Sequence, residues 1–330
     1  MRKIYSVLLA TILAFTIVGC EGKSSGDDKA TSVKAVSKVV KKMQDVQVFS
    51  VANADGTITP KTIEAAFDAT GLTVDGNNNM NKPFSQRFPK LHYKEYFLAM
   101  FRNNDLTLKL VKKYDNFGAL TPLTMSIWSD GKTMNISTLS INGMSRAAEI
   151  PLDDKDLIAY AKMIDTALKA ALPNGSYKDL GHVMTHNNKS LATSFEMEIE
   201  EDVDLEEFKE DFQAEFEGEM EPLGFLMPNF VNLKEEIFDD AGYDGYDFYD
   251  TYSICKFDVI YPVHVTHPEA GAWAPCSFYM YKKKDVNVMR MGFLSVDNWV
   301  TTMNIEDDAS LKPLRAAQGM ITDIINELTE

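Results

Sequence analysis

His264 and His267 bracket a Val-Thr pair in the segment between Cys255 and Cys276. Imidazole and thiolate are the donors that copper and zinc prefer, so these four side chains are the first candidates for a metal or thiol-redox centre. The cysteines also admit two quieter readings: a structural disulfide, or two buried thiols acting as small apolar groups. No Cys-x-x-Cys occurs, and neither cysteine stands at an obvious helix start that would lower its pKa. His182 and His186 are four apart and would share one face of a helix. Gly181 before them, Asn187 and Asn188 after them, and the lack of a third ligand weigh against a metal there. The run from Asp239 to Asp250 carries Asp240, Asp244 and Asp247 among Tyr and Phe residues. Carboxylates at that density suit calcium, but the spacing does not fit an EF-hand loop, and an exposed connection explains it as well. Asp75 to Met80 reads as a loop. The 17 methionines fall at apolar-periodic positions, which core packing explains better than copper handling. Gly-x-Ser-x-Gly, a phosphate-cradling glycine loop, His-Glu-x-x-His and Cys-x-x-Cys-His are all absent. No catalytic motif and no cofactor is implied.

The cysteines' surroundings depend on the compartment, and the amino terminus speaks to that. Arg2 and Lys3 precede an apolar run, Ile4 to Val18. The run falls short of the roughly 20 residues of a membrane span and has the length and flanks of a signal-peptide core. It ends in Ile17-Val18-Gly19-Cys20, which resembles the lipobox of bacterial lipoproteins. The resemblance implies cleavage after residue 19, a lipid on Cys20 and acylation of the new amino terminus. Glu21, rather than Asp, follows the cysteine, which leans towards the outer membrane, with the chain facing the periplasm. Export puts Cys255 and Cys276 where disulfides form, so a bonded pair becomes the leading expectation for them.

The net charge is −16, which opposes binding to nucleic acid or to an anionic lipid surface. With 45% apolar and 11% aromatic residues the chain has ample material for a core. Residues 20–45 read as a tether. Glu21 to Thr31 has linker composition. Val33, Val36, Val39, Val40 and Met43 then fall at helical spacing, as a first helix packed on the fold or a basic helix on the membrane surface.

The elements that must position the candidates come twice. Gly118-Ala119-Leu120-Thr121-Pro122 recurs as Gly271-Ala272-Trp273-Ala274-Pro275. A hairpin pattern follows each: Leu123–Trp128 and Thr133–Leu139 in the first copy, Cys276–Tyr281 and Val286–Gly292 in the second. An earlier strand matches Tyr96–Phe101 with Tyr252–Phe257. Each copy ends in an amphipathic helix, Asp156–Leu172 or Ser310–Leu328. Pro173-Asn174-Gly175 stops the former. Each copy opens with a strand and a helix: Val46–Val51 and Pro60–Ala69, then Ala192–Ile199 and Leu205–Glu219. Phe208, Phe212 and Phe216 form the buried face of the last of these, and its acids the solvated face. The expectation is an α+β chain of two tandem units, residues 46–175 and 190–330. Each is a curved antiparallel sheet (β-α-β4-α) with two helices on one face, and the two are related as a pseudo-twofold duplicate.

This repeat resembles the bacterial "domain of unknown function 302" family, present twice. The second copy carries Ile237-Phe-Asp-Asp-Ala-Gly242, Tyr252-Ser-Ile-Cys255 and Pro275-Cys276. It has Cys255-Lys256-Phe257 where the family shows Cys-Asn-Pro. The first keeps Asn103, Asn104 and Pro122, with Arg102 and Leu123 near the cysteine positions. The resemblance implies a fold like the TATA-binding-protein superfold and no established activity.

The expected function is binding of a small ligand or a protein partner, on an exposed sheet face or between the units. The alternatives are thiol-redox or metal handling through Cys255, Cys276, His264 and His267, and a structural role in the envelope. A small ligand requires an apolar cavity; a fully packed seam between units favours the structural role.

Overall fold

The alternating apolar residues of Val46–Ala52 form strand β1 of the computed structural model, which describes residues 44–181 and 191–330. The signal segment, Cys20, the tether through residue 43, and the His182/His186 pair lie outside the described residues. After β1 come α1 (Pro60–Ala69), β2 (Thr73–Asn79), α2 (Asn81–Arg87), β3 (Glu95–Arg102), α3 (Asn104–Val111), a 3-10 turn (Asp115–Leu120), β4 (Leu123–Ser129), β5 (Thr133–Leu139), α4 (Ile141–Ala148), α5 (Lys155–Ala171) and the short β6 (Ser176–Tyr177). The second half runs β7 (Ala192–Glu198), α6 (Leu205–Met220), β8 (Leu226–Asn232), a π turn (Lys234–Phe238), β9 (Tyr246–Cys255), α7 (Phe257–Thr266), a 3-10 turn (Pro268–Ala272), β10 (Cys276–Lys283), β11 (Val288–Leu294), α8 (Asp297–Met303) and α9 (Asp308–Thr329). Among the described residues no helix is long and apolar enough to cross a membrane.

Both halves build the same antiparallel sheet. The order is β2-β3-β4-β5-β1, with β6 added beyond β1, and β8-β9-β10-β11-β7. Local sequence starts the helices in the same way. Thr59 and Thr62 form a capping box ahead of α1, with Pro60 in its first turn. Asp154 caps α5 and Asp307 caps α9. Each half lays its two long helices on one sheet face. Phe67 of α1 meets Phe101 of β3 edge-on at 5.3 Å, and Phe216 of α6 stacks on Phe278 of β10 at 4.8 Å. Phe67, Phe216 and Phe278 are fully buried, each stabilising the fold by about 2–3 kcal/mol. Of the acidic helix, Phe212 and Phe216 are buried and Phe208 only half so.

Three sequence expectations need correcting. Asp75 to Asn79 is strand, not loop, because the run pairs with β3 across a bulge. The strand match is displaced: Arg102 and Cys255 are the corresponding last residues, so Tyr96 corresponds to Tyr249 rather than Tyr252. Lys256 and Phe257 have already left the strand to start α7. The sheet faces opposite the helices are not exposed. Every residue of β4 is buried, as is the interior of β10.

The other half covers those faces, and the Gly-Ala repeat is the means. A Cβ on Gly271 would stand 2.4 Å from Ser126 Cβ and 2.6 Å from its backbone nitrogen. A Cβ on Gly118 would stand 2.4 Å from Tyr249 Oη. Each 3-10 turn thus lies against the other half's sheet, and only glycine admits the approach. Polar bonds reinforce it. Ser126 Oγ donates to the Pro268 carbonyl at 2.6 Å, Ser137 Oγ to the Glu269 carbonyl at 2.8 Å, and Tyr249 Oη accepts from Gly118 N–H at 3.0 Å. Both X-Pro bonds of the repeat, Thr121-Pro122 and Ala274-Pro275, are cis.

Candidate functional site

Cys255 closes β9 and Cys276 opens β10. Cys276 is in register with Ile254, so the cysteines are one step out of register instead of directly opposed. They are separate thiols in this structure, where a bonded pair was the leading expectation from sequence. Cys276 Sγ donates weakly to the Trp273 carbonyl at 3.5 Å. Burial pushes both thiols up to about 12, and for Cys255 the nearby Cys276 adds to it. They are therefore protonated at neutral pH and poor nucleophiles.

Both thiols line one cavity in the second half, between the sheet and helices α7, α8 and α9. Its wall is apolar: Phe225, Ile254, Val259, Ile260, Phe293, Trp299, Leu314, Ala317 and Ile321 among others. Lys256, Cys276 and Gln318 are the lining residues that keep some solvent exposure, so they mark the mouth. The enclosed room is about 50 Å³. That is well below the roughly 300–1,000 Å³ of a drug-sized ligand site, but it is room for a short apolar group, and apolar walls leave it dry.

The corresponding place in the first half is filled. Matched by their buried positions, Leu157, Tyr160 and Ile164 of α5 correspond to Leu314, Ala317 and Ile321 of α9. Tyr160 is wholly buried, and its hydroxyl accepts from Asn103 N–H at 3.3 Å. Ala317 does not supply the volume of Tyr160, and the gap remains. Motif reasoning missed all of the lining except the cysteines. The readable signal was this difference in size between two repeats that otherwise agree.

The histidines do not join the cysteines. His264 is in the last turn of α7, not in a loop, and is 1% exposed. It points at the first half, where Phe84, Tyr93 and Tyr96 surround it at 4.8–5.8 Å between ring centres. Its Nδ1 faces the Tyr261 carbonyl. Burial, and then the charge of His92, drive its pKa down to about 4, so it is a neutral part of an aromatic contact between the halves. His267 ends the helix with Nδ1 3.3 Å from Glu269 Oε1. Among the described residues no three His, Cys, Asp or Glu are grouped to hold a metal ion. The aspartates weighed for a calcium site pair with lysines or are buried. Asp239 pairs with Lys234 at 2.7 Å, Asp244 with Lys284 at 3.3 Å, and Asp247 with Lys282 and Lys284. Asp250 is buried against Gln213.

No family model matches this chain, and no curated protein does. Among solved structures, the crystal structure of an uncharacterized conserved protein, DUF302, from Bacillus stearothermophilus is similar over 43% of this chain and 100% of its own, at 12% identity and a TM-score of 0.34.

Proposed function

We propose that this chain is an exported binding lipoprotein, held through lipid on Cys20 at the outer membrane and facing the periplasm. Its body is two tandem copies of the DUF302 type with sheets of the TATA-binding-protein kind. The first copy supports the assembly, and the second holds a small apolar ligand in the cavity beside Cys255 and Cys276. The observation that carries this is the cavity itself, hollow at Ala317 where the first copy is filled by Tyr160. A fold that needed only packing would gain from closing it, since an unfilled volume of this size costs about 1 kcal/mol.

The thiol-redox alternative is disfavoured by two thiols raised to about 12. A structural envelope role stays in competition, because the seam between the halves is well packed. Titrating the protein with short alkyl and aryl probes, and repeating it on Ala317→Ile, separates the two. Binding that the variant loses supports the ligand role; no binding to either leaves the structural one. Metabolic labelling with a fatty acid, lost on Cys20→Ala, tests the anchor.

A further inference from the structure

We propose that the cavity takes its guest as an anionic amphiphile, with a short apolar tail inside and a carboxylate or similar monoanionic head at Lys256 and the first turn of α7. This rests on the ligand-binding reading of the same cavity and names its ligand class.

The argument again compares the two halves. Asn103 caps α3: its Oδ1 accepts from Leu106 N–H at 2.9 Å, and its Nδ2 donates to the Gly71 carbonyl at 2.8 Å. That helix start is closed and lies over a filled core. Its counterpart is Lys256, and no side-chain hydrogen bond caps α7. The Lys256 ammonium donates to the Leu223 carbonyl and lies 5.3 Å from the ring centre of Phe225, a wall of the cavity. Exchanging Asn for Lys removes an acceptor from a helix amino terminus, where partial positive charge collects, and adds a full positive charge at the mouth. It does so in a chain of net charge −16. The acid of that first turn, Asp258, is exposed. A carboxylate at the mouth would take over from the Leu223 carbonyl as acceptor of the ammonium. A neutral head gains nothing from this arrangement, and a cationic head is repelled.

The test uses the full mature chain and three probes with one tail: hexanoate, hexan-1-ol and hexyltrimethylammonium, titrated calorimetrically. Hexanoate is expected to bind about tenfold or more tightly than hexanol, as a charge-assisted hydrogen bond allows, and the ammonium probe most weakly. Lys256→Gln should bring hexanoate down to the alcohol's affinity and leave the alcohol unchanged, while Lys256→Arg keeps the preference. Equal binding of hexanoate and hexanol to the unaltered chain overturns the head-group proposal and leaves the cavity reading standing. Failure of every probe overturns both.

Discussion

At the scale of single residues, buried ionisable groups in this fold oppose one another. Asp250 is wholly buried, with one oxygen bonded to Gln213 and the other unpartnered. Desolvation raises it to about 6, against the weaker pull of Lys209 and with Glu235 adding to the rise. A folded pKa above the unfolded one stabilises the fold fully below about pH 4, and that contribution is lost as pH rises through 6. Asp250→Asn should therefore be more stable than the parent at pH 7.5, by about 1–3 kcal/mol, with the difference closing below about pH 4. Denaturant midpoints across that range check it. His264 acts the other way. Its folded pKa of about 4 lies below the unfolded value, so protonation of the unfolded chain costs stability as pH falls from about 6.5 towards 4. A His264→Gln variant should lose that slope. The thiols give a simpler readout. Native protein should react slowly with a thiol reagent at pH 8 and quickly once unfolded, with both Cys255 and Cys276 counted without reductant. A count of zero would mean that they had bonded after all.

At the scale of elements, α9 decides the cavity. It matches α5 in buried spacing, yet presents Ala317 where α5 presents Tyr160. Ala317→Ile adds a larger apolar side chain at that position and should fill most of the space. We expect stability to rise by up to about 1 kcal/mol and apolar-probe binding to be lost. A loss of stability instead would mean that the walls do not accept the added volume. Such compensation is legible only when the two helices are laid on their corresponding sheets.

At the scale of the whole molecule, the two glycine turns fasten the halves together. Gly271→Ala should cost more than Gly118→Ala, because it meets the Ser126 backbone nitrogen and Cα as well as its Cβ, whereas Gly118 meets only side-chain atoms of Tyr249 and Tyr279. Overpacking of this kind costs roughly 1–3 kcal/mol, and the backbone clash should fall at or beyond the upper end. Thermal melting of both variants gives the ranking. Arg102 adds a link, reaching the buried side chain of Asp75 in its own half and the exposed Glu236 of the other, the latter at 2.5 Å. Removing Arg102 would strand the buried side chain of Asp75.

Most of the strands, the helices α1, α5, α6 and α9 and the recurrence of their order were legible in residue order, because period and turn residues are local and come twice. Pro173-Asn174-Gly175 announces a helix end without any tertiary context. The start of α7 was misplaced because apolar Ile254 and Phe257 continue the look of a strand across Lys256. The site was legible only in its two cysteines. Whether they meet the histidines depends on the direction in which α7 leaves the sheet, and it turns His264 away towards Tyr93 and Tyr96. Whether the interior is closed depends on volumes contributed by α7, α8, α9 and the sheet, which are far apart in the chain. Packing is a sum over such distant contributions, so the cavity, and the covering of each sheet by the other half, were decided by the tertiary structure alone.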